Sequence, residues 1–463
     1  MDRNKEKLFV SAIFRRIRGS LEGEKTMNVW EFYGFSENPY SPRPITASDD
    51  GVRLLVGRDD ELRWLGRYLR SADTHPTIEG PNGVGKTSLV AVSTYTLQLE
   101  FFNKETEQAL ILVDPPFQLT GETKPRTFKK EVLFKIAQCY IEHEQMLRSR
   151  GKFAPDVDEV RQWLNSPLFV TEGGGVTIAG FGGSASGGSS PNTSSGFSEE
   201  GFIAMVSDWL SKTFPKAKDG AFVCVIDNLE LLNTSRAARE LIEALRDDVL
   251  NLRGLKWVLC GARGIARSVA SSQRLQGVIS EPLDVSPVAN KYIEPLIAAR
   301  LESFATSGET LVPVEARGFN HLYLVGNSNL RNAMKYSEDF SMWLFDRASK
   351  DLSSDDKYEL LEIWMSEVAD KAAADTKDVK PRAWTVFDQL AKAGGFTSPG
   401  EFADYGFESN QAMRPHLRSL EEAKLIDSEV DETDNRRKTI SVTSRGWIVS
   451  YQRSGYRHLA GAR

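Results

Sequence analysis

The chain has 463 residues, 40% of them hydrophobic and 26% charged, and a formal net charge of −6. That length exceeds what one core usually supports, so more than one domain is expected. The composition is that of an ordinary soluble protein, and the acidic balance excludes a chain that coats nucleic acid along its whole length, though not one with a local basic face. The three cysteines, Cys139, Cys224 and Cys260, lie far apart in apolar or helical contexts. Neither a disulfide framework nor a zinc site is expected, and a reducing cytoplasm is the simplest location. No apolar run approaches the ~18 residues of a membrane span. The first twenty residues lack a signal-peptide core.

In chain order, Leu8, Phe9, Ala12, Ile13 and Ile17 fall on one face of a short helix, read as a docking helix or frayed tail. Asn38-Pro39-Tyr40-Ser41-Pro42-Arg43-Pro44 forbids a helix and predicts an extended strap. Leu55-Val56-Gly57-Arg58-Asp59-Asp60-Glu61-Leu62 is a glycine turn opening a helix to about Arg70, with acids in its first turn where the helix dipole favours them.

An extended stretch at 74–79 leads into Gly80-Pro81-Asn82-Gly83-Val84-Gly85-Lys86-Thr87, which fits G-x-x-x-x-G-K-[ST] without mismatch. Such a loop wraps backbone N–H groups around the phosphates of a nucleotide, and its glycines permit φ values a Cβ would block. Lys86 is expected at the β- and γ-phosphates, the Thr87 hydroxyl on Mg²⁺, and Ser88 opens the apolar helix that follows.

Residues 109–114 read as a buried strand and 127–148 as a helix. The Gly/Ser-rich stretch 173–196 reads as an insertion with a short hairpin near Val176-Thr177-Ile178. A helix at 201–213 precedes the strand Ala221-Phe222-Val223-Cys224-Val225-Ile226-Asp227. A helix near 235–250 and a strand at 256–260 follow. Strands alternating with helices imply a parallel sheet covered on both faces. Asp227, at the end of a buried strand, is the expected acidic partner of the metal. Residues 287–371 are helical in pattern.

Val56 to Leu62, the phosphate loop and Val225-Ile226-Asp227-Asn228-Leu229-Glu230 together resemble the AAA+ ATPases. The similarity points to the branch holding replication initiators of the origin-recognition type and the related STAND ATPases, and it covers roughly residues 50–345. It implies ATP and Mg²⁺ as ligands, with Arg58 beside the nucleotide. Trp257 to Arg263 resembles the sensor-1 strand, with Arg263 at the polar sensing position. Ser272-Gln273-Arg274-Leu275 resembles the region that supplies an arginine finger to a neighbouring subunit, and Gly326 to Ala333 resembles a sensor-2 helix that brings Arg331 to the γ-phosphate. The pattern departs from the family at Asn228, where a water-polarising Glu is usual. Glu230, two positions on, is the candidate substitute. A slow ATPase or an ATP-gated switch therefore fits as well as a fast motor.

Helices at 384–392, 398–403 and 408–422, then strands from Leu425 and at 439–443 around a polar tip, predict a winged helix-turn-helix. The segment 417–426 resembles the end of the recognition helix in bacterial winged-helix regulators. In DNA-binding versions the third helix enters the major groove. That makes Asn410, Gln411, Arg414, His416 and Arg418, with Arg436, Arg437 and Lys438 on the wing, the candidate DNA contacts. Acids nearby keep protein docking open as the other use.

The expected fold is α/β: a P-loop NTPase sandwich around a parallel sheet, a helical lid and a C-terminal winged helix-turn-helix. The expected domains are an N-terminal helix and strap (1–50), the nucleotide-binding domain (51–286, insertion about 172–197), the lid (287–372) and the winged helix (380–455). The expected activity is that of an ATP-gated, oligomeric, DNA-binding ATPase, of an initiator-like, transposon-targeting or anti-phage kind. The other reading is a STAND-like signalling ATPase that docks a separate effector protein.

Overall fold

The computed structural model of the chain describes residues 28–158, 160, 161, 199–232, 235–262, 264–347, 352–431 and 437–457. The expected helix at 8–17, the Gly/Ser-rich stretch with its hairpin, Arg263 and Arg436 lie outside the described residues.

The first body comprises α1 (Val29–Phe32), α2 (Asp49–Leu54), α3 (Asp59–Ser71), β1 (Thr77–Glu79), α4 (Lys86–Phe102), β2 (Ala109–Leu112), β3 (Phe117–Gln118), α5 (Pro125–Ser149), α6 (Glu199–Thr213), β4 (Gly220–Asp227), α7 (Ser235–Leu245), β5 (Leu255–Gly261), α8 (Ile265–Ala270) and β6 (Leu283–Asp284). Its strands pair in the order β2-β4-β5-β1-β6, all parallel, with β3 also on β4. Every residue of β4 is buried, as a central strand covered on both faces requires. Alternate side chains divide between two cores: Phe222, Cys224 and Ile226 pack with α5, α6 and α7, whereas Val223 and Val225 pack with α3 and α4. This is the expected P-loop NTPase sandwich. The three cysteines are free and buried.

The lid contains α9 (Ile293–Phe304), α10 (Ala316–Val325), α11 (Leu330–Phe345) and α12 (Ser354–Ala374). Its core also takes in Trp30, Tyr33, Phe35 and Tyr40. The sequence reading sets 1–50 apart, but aromatic rings at 30–40 are too apolar to remain in water and close the lid instead. The Tyr33 hydroxyl donates to the Ser341 carbonyl at 2.8 Å and that of Tyr40 to the Val314 carbonyl at 2.7 Å. The strap therefore leaves the lid and crosses to the first body.

The C-terminal module runs α13 (Pro381–Lys392), β7 (Phe396–Thr397), a 3-10 turn (Pro399–Tyr405), α14 (Asn410–Glu422), β8 (Ile426–Asp431), β9 (Arg437–Val442) and α15 (Ser444–Arg453). Its antiparallel sheet has the order β7-β9-β8. Helix, 3-10 turn, helix and hairpin follow in the order the sequence suggests, and β7 and α15 are additions. Thr443 caps α15 by accepting from the Gly446 N–H at 3.0 Å. Arg445 then reaches the Ala372 carbonyl and Asp375 on the lid side, and Tyr451 enters the lid core. Lid and module are thereby joined through one helix. Among the described residues no helix is long and apolar enough to cross a membrane.

Candidate functional site

The phosphate loop connects β1 to α4, where the first N–H groups of a helix lack intrahelical partners and attract anions. Gly83 (φ +81°) and Gly85 (φ +103°) hold the left-handed conformations that shape the loop. A Cβ on Gly83 would lie 2.7 Å from Asn329 Oδ1, so the glycine also admits the lid. Lys86 is buried, and its Nζ donates to the Gly80 carbonyl at 2.9 Å and the Pro81 carbonyl at 3.3 Å.

Asp227 ends β4, separated from β1 by β5, so both sit at the carboxyl edge of the sheet, where ligands of such folds bind. The Thr87 hydroxyl donates to Asp227 Oδ2 at 2.6 Å. These are two hard oxygen donors side by side, which suits Mg²⁺ shared with phosphates and water. No cluster of three His, Cys, Asp or Glu exists among the described residues, so an all-protein metal cage is absent there.

A cleft of about 870 Å³, open mouth included, joins these groups. It is lined by Asn82 to Ser88, Asp227, Asn228, Arg58 and Arg331, with the strap residues 41–45 on one side. Leu54, Leu55, Val56, Val288, Leu296, Leu330 and Met334 add apolar lining. A cleft lined by both polar groups and apolar side chains suits an amphiphilic ligand such as a nucleotide.

The lid is tied to the loop. Asn329 caps α11, accepting from the Asn332 N–H at 3.1 Å, and its amide donates to the Asn82 carbonyl at 2.7 Å. Arg331, the second residue of α11, lines the cleft and is exposed. Asn332 in turn accepts from Ser444 at 3.1 Å, and Asn327 donates to the Gly394 carbonyl at 3.4 Å, so the start of α11 also touches the C-terminal module. The strap is fixed by Arg300 on α9, whose guanidinium donates to the Pro39 carbonyl at 2.6 Å and the Ser41 carbonyl at 2.9 Å. Burial pushes the Arg300 pKa down to about 10, which leaves it charged at neutral pH. On the other side the Ile45 N–H donates to Ser88 Oγ at 2.9 Å.

Arg58 lines the cleft but donates to Glu61 (2.8 Å), the Ser286 carbonyl (2.8 Å) and the Val84 carbonyl (3.0 Å). It thus braces the loop from behind. Asn228 lines the cleft in the left-handed region at φ +57°. Asn tolerates that conformation more readily than most non-glycine residues, including Glu. Glu230 lies on a 3-10 turn (Leu229–Leu232) outside the cleft lining and accepts from the Ala262 N–H at 3.0 Å. Arg274 is on the surface, 3.7 Å from Glu243, and away from the cleft.

On α14, Arg414 is exposed, whereas Arg418 donates to Glu422 at 2.9 Å. His416 packs on the Phe407 ring at 5.3 Å between centroids, and the Arg382 guanidinium sits 4.6 Å from the same ring. Partial burial, with Arg382 and Lys380 nearby, lowers the His416 pKa. Gln411 is exposed and Asn410 half-buried. Of Arg437 and Lys438 the backbone alone, in β9, is described.

Sequence reasoning named Asn329 only within a motif and did not single out Arg300. The first carries a readable signal, an Asn just before an apolar helix. The second has none, since a buried Arg in a helix reads like a surface one.

No protein-family profile matches the chain, and no curated protein matches it in sequence. Solved structures similar to it include the Aeropyrum pernix Orc1 protein in complex with DNA, at 13% identity, covering 88% of this chain and 97% of that one, with a TM-score of 0.39. Another is the Aeropyrum pernix Orc2 protein in ADPNP and ADP complexes, at 12% identity, 91% and 99% coverage and a TM-score of 0.42. A third is a Walker-type ATPase of Pyrococcus abyssi, at 13% identity, 89% and 99% coverage and a TM-score of 0.43. Likenesses this distant leave the cleft's own geometry to carry the functional reading.

Proposed function

We propose that this chain is an ATP-binding ATPase of the AAA+ type that acts as a nucleotide-gated, oligomeric switch and touches duplex DNA through its C-terminal module. One observation carries the nucleotide reading: the Lys86 loop and the Thr87–Asp227 pair face a single cleft that the lid closes through Asn329 and Arg331.

Triphosphate hydrolysis is mainly positioning and charge neutralisation. Lys86 exchanges its loop carbonyls for phosphate oxygens. Thr87 Oγ1 and Asp227 would hold Mg²⁺, which when bound would neutralise charge on the phosphates. Arg331 approaches the γ-phosphate from the lid, and Arg263, at the sensor-1 position of the sequence, is the second candidate arginine. The Asn228 side chain orients a water but takes no proton, since an amide is not a base at neutral pH. Turnover is accordingly slow, which suits a timer. Arg274, exposed and absent from the lining of its own cleft, is the candidate finger for a neighbour's, which would make hydrolysis depend on assembly.

The C-terminal module is read as a winged helix-turn-helix that meets DNA with Arg414 and the wing residues Arg436, Arg437 and Lys438. A specific observation favours the second reading, docking of a separate effector protein: Arg418 is paired to Glu422 and His416 is packed on a ring, which leaves the helix weakly basic.

Size analysis with ATP, ADP or no nucleotide, each with and without duplex DNA, tests both. ATP-dependent assembly that retains DNA supports the first reading. ATP-dependent assembly without DNA affinity at low salt supports docking, and size unaffected by nucleotide sinks the switch.

A further inference from the structure

Two carboxylates converge on the turn after β5, and neither lines the phosphate cleft. Glu230 reaches it from the 3-10 turn after β4 and accepts from the Ala262 N–H at 3.0 Å. Glu79 reaches it from the end of β1. One of its oxygens accepts from the Gly264 N–H at 3.4 Å, and the other accepts from Arg267 Nε at 3.1 Å and Nη2 at 2.6 Å. Glu79 is 1% exposed, and a carboxylate buried that far persists only when its oxygens are paired. The Ala262 and Gly264 amides are therefore each held by an acid, one from the turn after β4 and one from the end of β1.

We infer that Glu79 and Glu230 are positioning residues that hold the Ala262 and Gly264 amides as a clamp, and that Glu230 is not the general base of hydrolysis. The inference rests on the reading of the cleft as an ATP-hydrolysing site. A general base must come within hydrogen-bond reach of the proton it abstracts. Asp227 and Asn228 line the cleft, whereas Glu230 does not, and one of its oxygens is occupied by a backbone amide. What Ala262 needs is an acceptor oxygen, and a glutamine amide supplies one while being unable to carry a proton. Arg263 lies between these two amides in the sequence, so loosening them lowers turnover through that arginine and leaves nucleotide binding intact.

The test uses the full chain with Mg²⁺ and ATP, comparing wild type, Glu230→Gln and Glu230→Ala. The clamp predicts that Glu230→Gln keeps kcat within about three-fold of wild type, that Glu230→Ala loses about ten-fold or more, and that both bind ATP normally. Loss of a general base costs about 10² to 10⁴-fold. A Glu230→Gln variant as slow as Glu230→Ala therefore overturns the assignment. Amide hydrogen exchange over residues 258–266 decides the clamp without any reliance on turnover. Exchange there accelerates in Glu230→Ala and stays slow in Glu230→Gln; unchanged protection in Glu230→Ala overturns it. A wild type that fails to hydrolyse ATP refutes the parent reading, and the exchange measurement still settles the turn.

Discussion

The phosphate cleft and the surface of α14 each begin at the first turn of a helix, yet they hold their polar groups in opposite ways. In the cleft, Lys86 rests on two carbonyls and Thr87 on Asp227, bonds that a triphosphate and its metal can replace one for one. On α14, Arg418 is tied to Glu422 and His416 lies against Phe407, so the groups are already satisfied by neighbours on the same module. Residue type alone makes both regions look like binding sites. Burial separates them: Lys86 and Asp227 are buried in the cleft, whereas the Arg418–Glu422 pair lies in solvent and is weakly held.

The sharpest way to break this contrast is Lys86→Ala. It is expected to weaken ATP binding by about 100-fold or more, since a charge-assisted contact to phosphate is lost in a buried setting. Near-normal affinity in a nucleotide titration would remove the cleft's distinction. Next, Asp227→Ala is expected to lower Mg²⁺-dependent turnover by about 10² to 10³-fold while nucleotide affinity and melting temperature change little. A collapse of the fold would instead mark Asp227 as a strand cap. On α14 the effects are smaller. Arg414→Ala should reduce DNA affinity a few-fold and lower the salt slope by about one, whereas Arg418→Ala should do less, because its charge is offset by Glu422. Equal losses in fluorescence anisotropy would show that the pair opens on DNA. Smallest is His416→Gln. The lowered pKa keeps the ring neutral above the usual imidazole range of about 6.5, so at pH 7.5 no cation is lost and affinity should not move.

The phosphate loop was legible because its shape depends on backbone angles that select glycine at Gly83 and Gly85. β4 was legible because a strand buried on both faces must be apolar until its terminal acid. Asn228 appeared in the sequence as a departure without a cause. Its left-handed φ, which Asn tolerates better than Glu, is announced by no local pattern. Arg58 stood beside the nucleotide by the family resemblance, and it does line the cleft. Its hydrogen bonds to Glu61, to the Val84 carbonyl and to the Ser286 carbonyl were not legible, the last because Ser286 is distant in the chain. The entry of residues 30–40 into the lid core was hidden for the same reason, since their partners lie some 270 to 310 residues away. Short elements such as β3, β6 and α8 carry too few residues to show a period.

The opening turn of α11 is pinned to Asn82 on one side and to Ser444 on the other. That makes it the pivot of a lever. The helix has 16 residues, hence a length of about 24 Å, and a rotation of roughly 5° at the pivot carries its far end about 2 Å. A change at the loop too small to alter any single contact can therefore arrive at the opposite side of the lid as a displacement comparable to an atom's diameter.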